Sequence, residues 1–188
     1  MESPKCLTAI PARLILQDMR HGQAAYLLKL PKMVEIDGIL EDTVAFDQQV
    51  PFQKRFSLKS PVDNSYQFLY EAAQSAKNTL KLSLHILDDD TKIGLLRVDF
   101  SGQHQNPEET NDALPEELRV FAGRFFSHDE PHMHCHAEGY KSLAWAKPLD
   151  GGFPVRSIGS PADVLTAFRA FNSMIALKTS FSIYQALI

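Results

Sequence analysis

Leu80, Leu82, Leu84 and Ile86 alternate with Lys81, Ser83 and His85. A period of two belongs to a strand with one buried and one wetter face. This stretch therefore fixes a β-element near the middle of the chain and sets a frame for its neighbours. Asp88-Asp89-Asp90 reads as a reversal, and Ile93–Phe100 as the next strand. Upstream, Phe52, Phe56 and Leu58 continue the β-like pattern, and Ser60-Pro61-Val62-Asp63-Asn64 is a turn cluster. Ser65–Ala73 follows with Tyr66, Phe68 and Tyr70 on one face, although its Glu-Ala-Ala-Gln end also permits a helix. Ser75–Asn78 makes the turn that leads on. Residues 66–100 are expected to form an antiparallel meander.

After residue 100 the chain changes character. Residues 103–118 are polar, carry Pro107 and Pro115, and read as an ordered loop with a short helix near 115–124. A strand is expected over 131–138, with Gly139–Ser142 turning into a partner at Leu143–Lys147. Pro148–Gly159 reads as a loop. Ser160 caps a helix with Pro161 at its first position. Val164, Leu165, Phe168, Phe171 and Ile175 recur at helical spacing, so one face of 161–176 packs on the sheet. The apolar tail, 181–188, adds a strand or a short helix. The expected class is α+β: an antiparallel sheet, meander plus hairpin, with a C-terminal helix packed on one face.

The N-terminal part is less determined. Ala24–Leu30 reads as a short helix or a strand that Pro31 ends, and the acidic stretch 37–51 reads as a loop. With 188 residues the chain is expected to be a single domain, 52–188 forming the core and 1–51 an extension or subdomain.

Composition excludes some functions. The hydrophobic fraction is 44%, ordinary for a globular protein. A formal charge of −4 argues against a strongly basic nucleic-acid surface, without forbidding a local basic groove. Two cysteines, Cys6 and Cys135, make neither a disulfide framework nor a cysteine-rich zinc site. No apolar run reaches the length of a membrane span, and the start of the chain lacks a signal-peptide layout. A cytoplasmic protein with no membrane partner is the expectation.

The chemistry concentrates in two segments. In Pro131–Glu138, His132, His134 and His136 occupy alternate positions, which on a strand puts three imidazoles on one face and Met133, Cys135 and Ala137 on the other. In Leu95–Pro107, Arg97 and Asp99 share a face opposite Leu96, Val98 and Phe100; Gly102 then permits a bend, from which His104 and Asn106 project. Arg, Asp, His and Asn at a strand end suit a phosphate or carboxylate. Three readings follow. In the first, His104 and His134 form an acid–base pair of ribonuclease type, with Arg97 or Lys141 as the cation for the phosphorane and no cofactor. Asp99 completes that catalytic group, while Asn106, His132 and Lys141 bind substrate. In the second, His132, His134 and His136 ligate zinc or another divalent metal, with His104, Asp99 or Glu138 able to complete the sphere. In the third, the chain is a non-enzymatic antitoxin, inhibitor or subunit whose acidic balance suits a basic protein partner. Cys135 is expected to point into the core rather than act as a nucleophile.

His21, His85 and His128 read as structural histidines, Arg97 with Asp99 as an ion pair bracing the sheet, Asp88–Asp90 as a solvated turn, and Trp145 and Phe125-Phe126 as core aromatics.

Three blocks in order carry a resemblance: Leu95-Leu96-Arg97-Val98-Asp99 leading to Gly102, His104 and Asn106-Pro107; Pro131-His132-Met133-His134 with Glu138-Gly139-Tyr140; and Leu143–Leu149 followed by Phe153-Pro154 and an apolar helix. Over residues 55–188 the chain resembles an uncharacterised bacterial family, a domain of unknown function found in prokaryotes and their mobile elements. Such a family transfers no established activity. Over about ten residues, Pro131-His132-x-His134 also resembles the H-x-P-P-H-x-H stretch of small proteins associated with toxin–antitoxin modules. The longer acidic insert at 107–118 and the extra His136 depart from both. The resemblance implies a mobile-element or defence role. The function expected from it and from the residues is a nucleic-acid-cleaving toxin or phage-defence effector acting on RNA or DNA.

Overall fold

The computed structural model describes residues 19–47, 49–77, 80–149 and 152–184. Cys6, Asn78 of the expected turn and residues 185–188 of the apolar tail lie outside the described residues.

Helix α1 (His21–Lys29) is followed by strands β1 (Met33–Ile36), β2 (Ile39–Glu41) and β3 (Thr43–Asp47). The meander comprises β4 (Phe52–Lys59), β5 (Gln67–Gln74), β6 (Leu82–Asp88) and β7 (Gly94–Asp99). Then come β8 (His104–Gln105), the short helix α2 (Glu116–Arg119), β9 (Phe125–Phe126), β10 (His132–Cys135) and β11 (Trp145–Pro148). Helix α3 (Pro161–Met174) and β12 (Ser180–Tyr184) close the described chain.

Among the described residues the main sheet has eight strands in the order β11-β10-β7-β6-β5-β4-β1-β2, and every adjacent pair in it is antiparallel. The period-two alternation of β6 is visible in burial. Leu82, Leu84 and Ile86 are buried on one face, and Ser83 and His85 are half-buried on the other. Phe68, Tyr70 and Ala72 of β5 and Val98 of β7 join the buried face, where Phe168 and Phe171 of α3 pack on Tyr70 with ring centroids 6.3 and 5.5 Å away. The fold is α+β, with the C-terminal helix covering the sheet as its periodicity requires. Ser160 caps α3, its hydroxyl accepting from the Asp163 amide and donating to the Asp163 carboxylate.

The acidic stretch read as a loop contains β2 and β3, and β3 pairs in parallel with β12. Short strands with polar residues have no readable period, and β3 depends on a partner more than a hundred residues away. Met19, Leu27, Leu30, Val34 and Val44 belong to the same buried cluster as the meander.

A lysine is buried where α1 and α3 end. Lys32 is 0% exposed, and its Nζ donates to the carbonyls of Leu27 (2.5 Å), Leu28 (3.2 Å) and Leu30 (2.8 Å) at the end of α1 and Ile175 (2.9 Å) at the end of α3. These are carbonyls a helix terminus leaves unpaired, and the negative end of the helix dipole favours a cation there.

Candidate functional site

The arginine–aspartate strand and the histidine strand are hydrogen-bonded neighbours. Antiparallel register sets Arg97 opposite His134 and Asp99 opposite His132. All four lie on the face of the sheet opposite α3, because each occupies the same parity of the pleat. Asp99 stands at the centre. Its carboxylate accepts from Arg97 Nε at 2.9 Å, and Oδ2 lies 3.2 Å from His134 Nε2. Burial works against the charged form of Asp99, yet the His134 contact, the Arg97 charge and a Ser83 hydrogen bond outweigh it and hold the carboxyl well below its usual range.

His104 reaches the group from β8. Its ring lies edge-on to His134 with centroids 4.5 Å apart, and stacks on His132 at 5.9 Å. Phe126, fully buried on β9, covers His132 at 4.9 Å, so the β8–β9 pair roofs the histidines. His104 Nε2 faces two acceptors, Asn106 Oδ1 at 3.0 Å and Ala144 O at 3.1 Å, and therefore carries the proton. Nδ1 keeps its lone pair on a half-buried ring. Burial, then the nearby His134, lowers the pKa of His104, and the two hydrogen bonds oppose that shift only partly. Burial likewise lowers His132.

A polar chain runs away from this group across the sheet. Register aligns Arg55, Glu71, His85, Arg97 and His134 on successive strands β4, β5, β6, β7 and β10. Arg55 Nε lies 2.7 Å from Glu71 Oε1, and His85 Nδ1 lies 3.2 Å from Glu71 Oε2. His85, expected to be structural, is a member of this row.

The remaining sequence-derived candidates divide. His132 and His134 are in the group; with Asp99 they offer metal-ligand atoms that all lie within 4.8 Å of one another. His136 is buried with its Nε2 2.7 Å from Met19 O. The strand ends at Cys135, so alternation no longer governs the next side chain. Asn106 is 2% exposed and consumed internally. Its amide donates to Phe121 O and Ala146 O, and Oδ1 accepts from Ala146 N at 2.8 Å, mimicking a strand along the open edge of β11. Lys141 is exposed in the β10–β11 connection. Cys135 packs between the two apolar clusters, and burial pushes its thiol up to about 11.

Several contributors escape sequence inspection. Ser83 faces Asp99 by register, and the carbonyls of Glu130 and Leu143 accept from His132 Nδ1 (2.8 Å) and His134 Nδ1 (2.9 Å). A backbone carbonyl carries no sequence signal. The Ser83–Asp99 pairing was available only once the meander register was known.

Residues 19–176 match one family model, described as a family of unknown function (DUF6978). No curated protein and no solved structure matches the chain. No helix among the described residues is long and apolar enough to cross a membrane.

Proposed function

We propose, for a chain that belongs to this family of unknown function, a nucleolytic centre built on His104, Arg97, Asp99 and His134. The observation that carries this reading is the convergence of His104 on the Asp99–His134 pair beside a partly exposed arginine, whose side chain is 42% exposed.

Each group has a role that its surroundings suit. Arg97 commits Nε to Asp99, which leaves the outer edge of the guanidinium to hold an anionic phosphodiester. His104 has an unprotonated Nδ1, a lowered pKa and a half-buried ring, the properties of a general base near neutral pH. It accepts the proton of a hydroxyl or water as that oxygen bonds to phosphorus. It then returns the proton to the oxygen that leaves as the P–O bond breaks. His134 donates its Nδ1–H to Leu143 O and turns Nε2 to Asp99, so it positions rather than transfers. A small centre of this kind suits a toxin or phage-defence effector that acts on RNA or DNA. The test is cleavage of labelled single- and double-stranded RNA and DNA by tag-free protein. His104→Ala and Arg97→Ala should each reduce the rate by about 100-fold or more while circular dichroism stays unchanged. Absence of cleavage on every substrate, or full activity in both variants, defeats the reading.

A second reading is favoured by one feature. β2 is an edge strand, and its Ile39 and Leu40, with Ile36 at the end of β1, are exposed, Ile39 by 63%. An apolar edge of this kind suits pairing with a strand of a cognate protein. Co-purification of a partner lost on Ile39→Lys would favour an interaction protein.

A further inference from the structure

We infer that Asp99, His132 and His134 together bind a divalent first-row transition metal. The inference goes beyond the nucleolytic reading and stands on ligand geometry alone.

His132 Nδ1 lies 2.8 Å from Glu130 O, and a carbonyl only accepts, so Nδ1 bears the hydrogen. The neutral ring then offers a lone pair at Nε2. That atom is buried, the residue is 1% exposed, and Nε2 has no hydrogen-bond partner among the described residues. Buried polar atoms are rarely left this way without an ion or water to meet them. His134 repeats the arrangement: Nδ1 donates to Leu143 O, and Nε2 stands 3.2 Å from a carboxylate oxygen, a space that only a proton or a metal ion fills. A neutral ring with nothing in that space would set two electron pairs against each other in a buried place. Something positive belongs between them.

Distances favour a metal in that place. Bonds of about 2.0 Å in a tetrahedron put ligand atoms about 3.3 Å apart. His134 Nε2 and Asp99 Oδ2 already stand at 3.2 Å, and all three ligand atoms fall within 4.8 Å. Outer contacts complete the pattern of a metal site. Each ligand histidine donates its second N–H to a backbone carbonyl, and Arg97 braces the carboxylate. Two nitrogens and one carboxylate oxygen suit zinc, iron(II) or manganese(II) and leave further positions for solvent or substrate. The ring of His104 lies edge-on at 4.5 Å from His134. Two neutral imidazoles and one carboxylate leave a divalent ion with one net positive charge, beside Arg97. An anion is the ligand such a centre draws.

The experiment uses tag-free full-length protein, stripped with chelator and dialysed. Zinc is titrated by calorimetry, and cobalt(II) by visible absorption. One equivalent should bind, with zinc raising the melting temperature. His132→Ala and Asp99→Asn should each weaken affinity by about 10- to 100-fold, while His128→Ala, in an exposed turn, leaves it unchanged. Should either variant fail to fold, nitrogen NMR of the wild-type rings replaces it: Nε2 of both His132 and His134 should shift with zinc. Absence of saturable binding with unmoved Nε2 signals overturns the inference and assigns a proton to the space. Metal binding without cleavage of any nucleic acid defeats only the nucleolytic reading. Cleavage by protein that binds no metal defeats only this inference.

Discussion

Leu143 turns its carbonyl oxygen to His134 Nδ1 at 2.9 Å, and does so from a left-handed backbone conformation, φ +57°. A leucine enters that region at a cost of about 1 kcal/mol. The conformation is held by packing against β7, where Ser142 Oγ accepts from the Gly94 amide at 2.6 Å. The tautomer of a site histidine is thus set by a loop that rests on a glycine.

Gly94→Ala tests that arrangement. A Cβ at this position would stand 2.6 Å from Leu143 Cδ1, 2.7 Å from its Cγ and 2.8 Å from Ser142 Oγ. The loop must shift, and the His134–Leu143 hydrogen bond shifts with it. A loss of about 2 kcal/mol of stability is expected in urea denaturation, with weaker zinc binding. A variant with wild-type stability and affinity would show that the loop does not set the ring.

Asn106→Ala should cost about 2–4 kcal/mol, because it strands the amide and carbonyl of Ala146 and the carbonyl of Phe121. It also frees His104 Nε2 from Asn106 Oδ1, leaving only Ala144 O to hold the ring. Thermal melting measures the first effect. Broadening of the His104 ring signals in NMR reports the second.

Lys32→Met removes the cation shared by the ends of α1 and α3. Burial alone pulls the Lys32 ammonium down to about 7, but four carbonyl oxygens face it, and methionine leaves them all unmatched. A destabilisation of about 3 kcal/mol is expected. Hydrogen exchange should quicken at the last turns of both helices, whereas slowed or unchanged exchange would place their anchorage elsewhere.

His85 gives the fold a pH dependence. Burial lowers its pKa despite the opposing hydrogen bond and charge of Glu71; Arg97 lowers it further, and Asp99 acts against that. An unfolded histidine takes its proton near pH 6.5, while the folded ring resists until lower pH. Below about pH 6.5 the unfolded chain therefore binds more protons, so this contribution is full above that value and fades as pH falls through the folded pKa. Urea midpoints measured between pH 7.5 and 5.5 should fall less steeply for His85→Gln than for the wild type. Equal slopes would remove His85 as the cause.

The amino-acid sequence determined the elements whose pattern is local. Alternation across Leu82, Leu84 and Ile86 made a strand, and Ser160-Pro161 with Val164, Phe168 and Phe171 made a capped helix with one buried face. The same period of two placed His132 with His134, and Arg97 with Asp99, on common faces before any partner was known. Tertiary structure decided which faces meet. Pairing of β10 with β7 rather than with another edge depends on long-range hydrogen bonding, and it is this register that sets Asp99 beside His134. It also separated His136 from its neighbours, because the strand stops one residue earlier and the ring turns to Met19 O. Asn106, polar and beside a proline, reads as a ligand-binding residue; only the bare edge of β11 reveals that its amide completes a backbone. Local pattern records how a side chain faces relative to its own strand, whereas a site requires groups from distant strands to face each other, and that is fixed by the packing of the whole sheet.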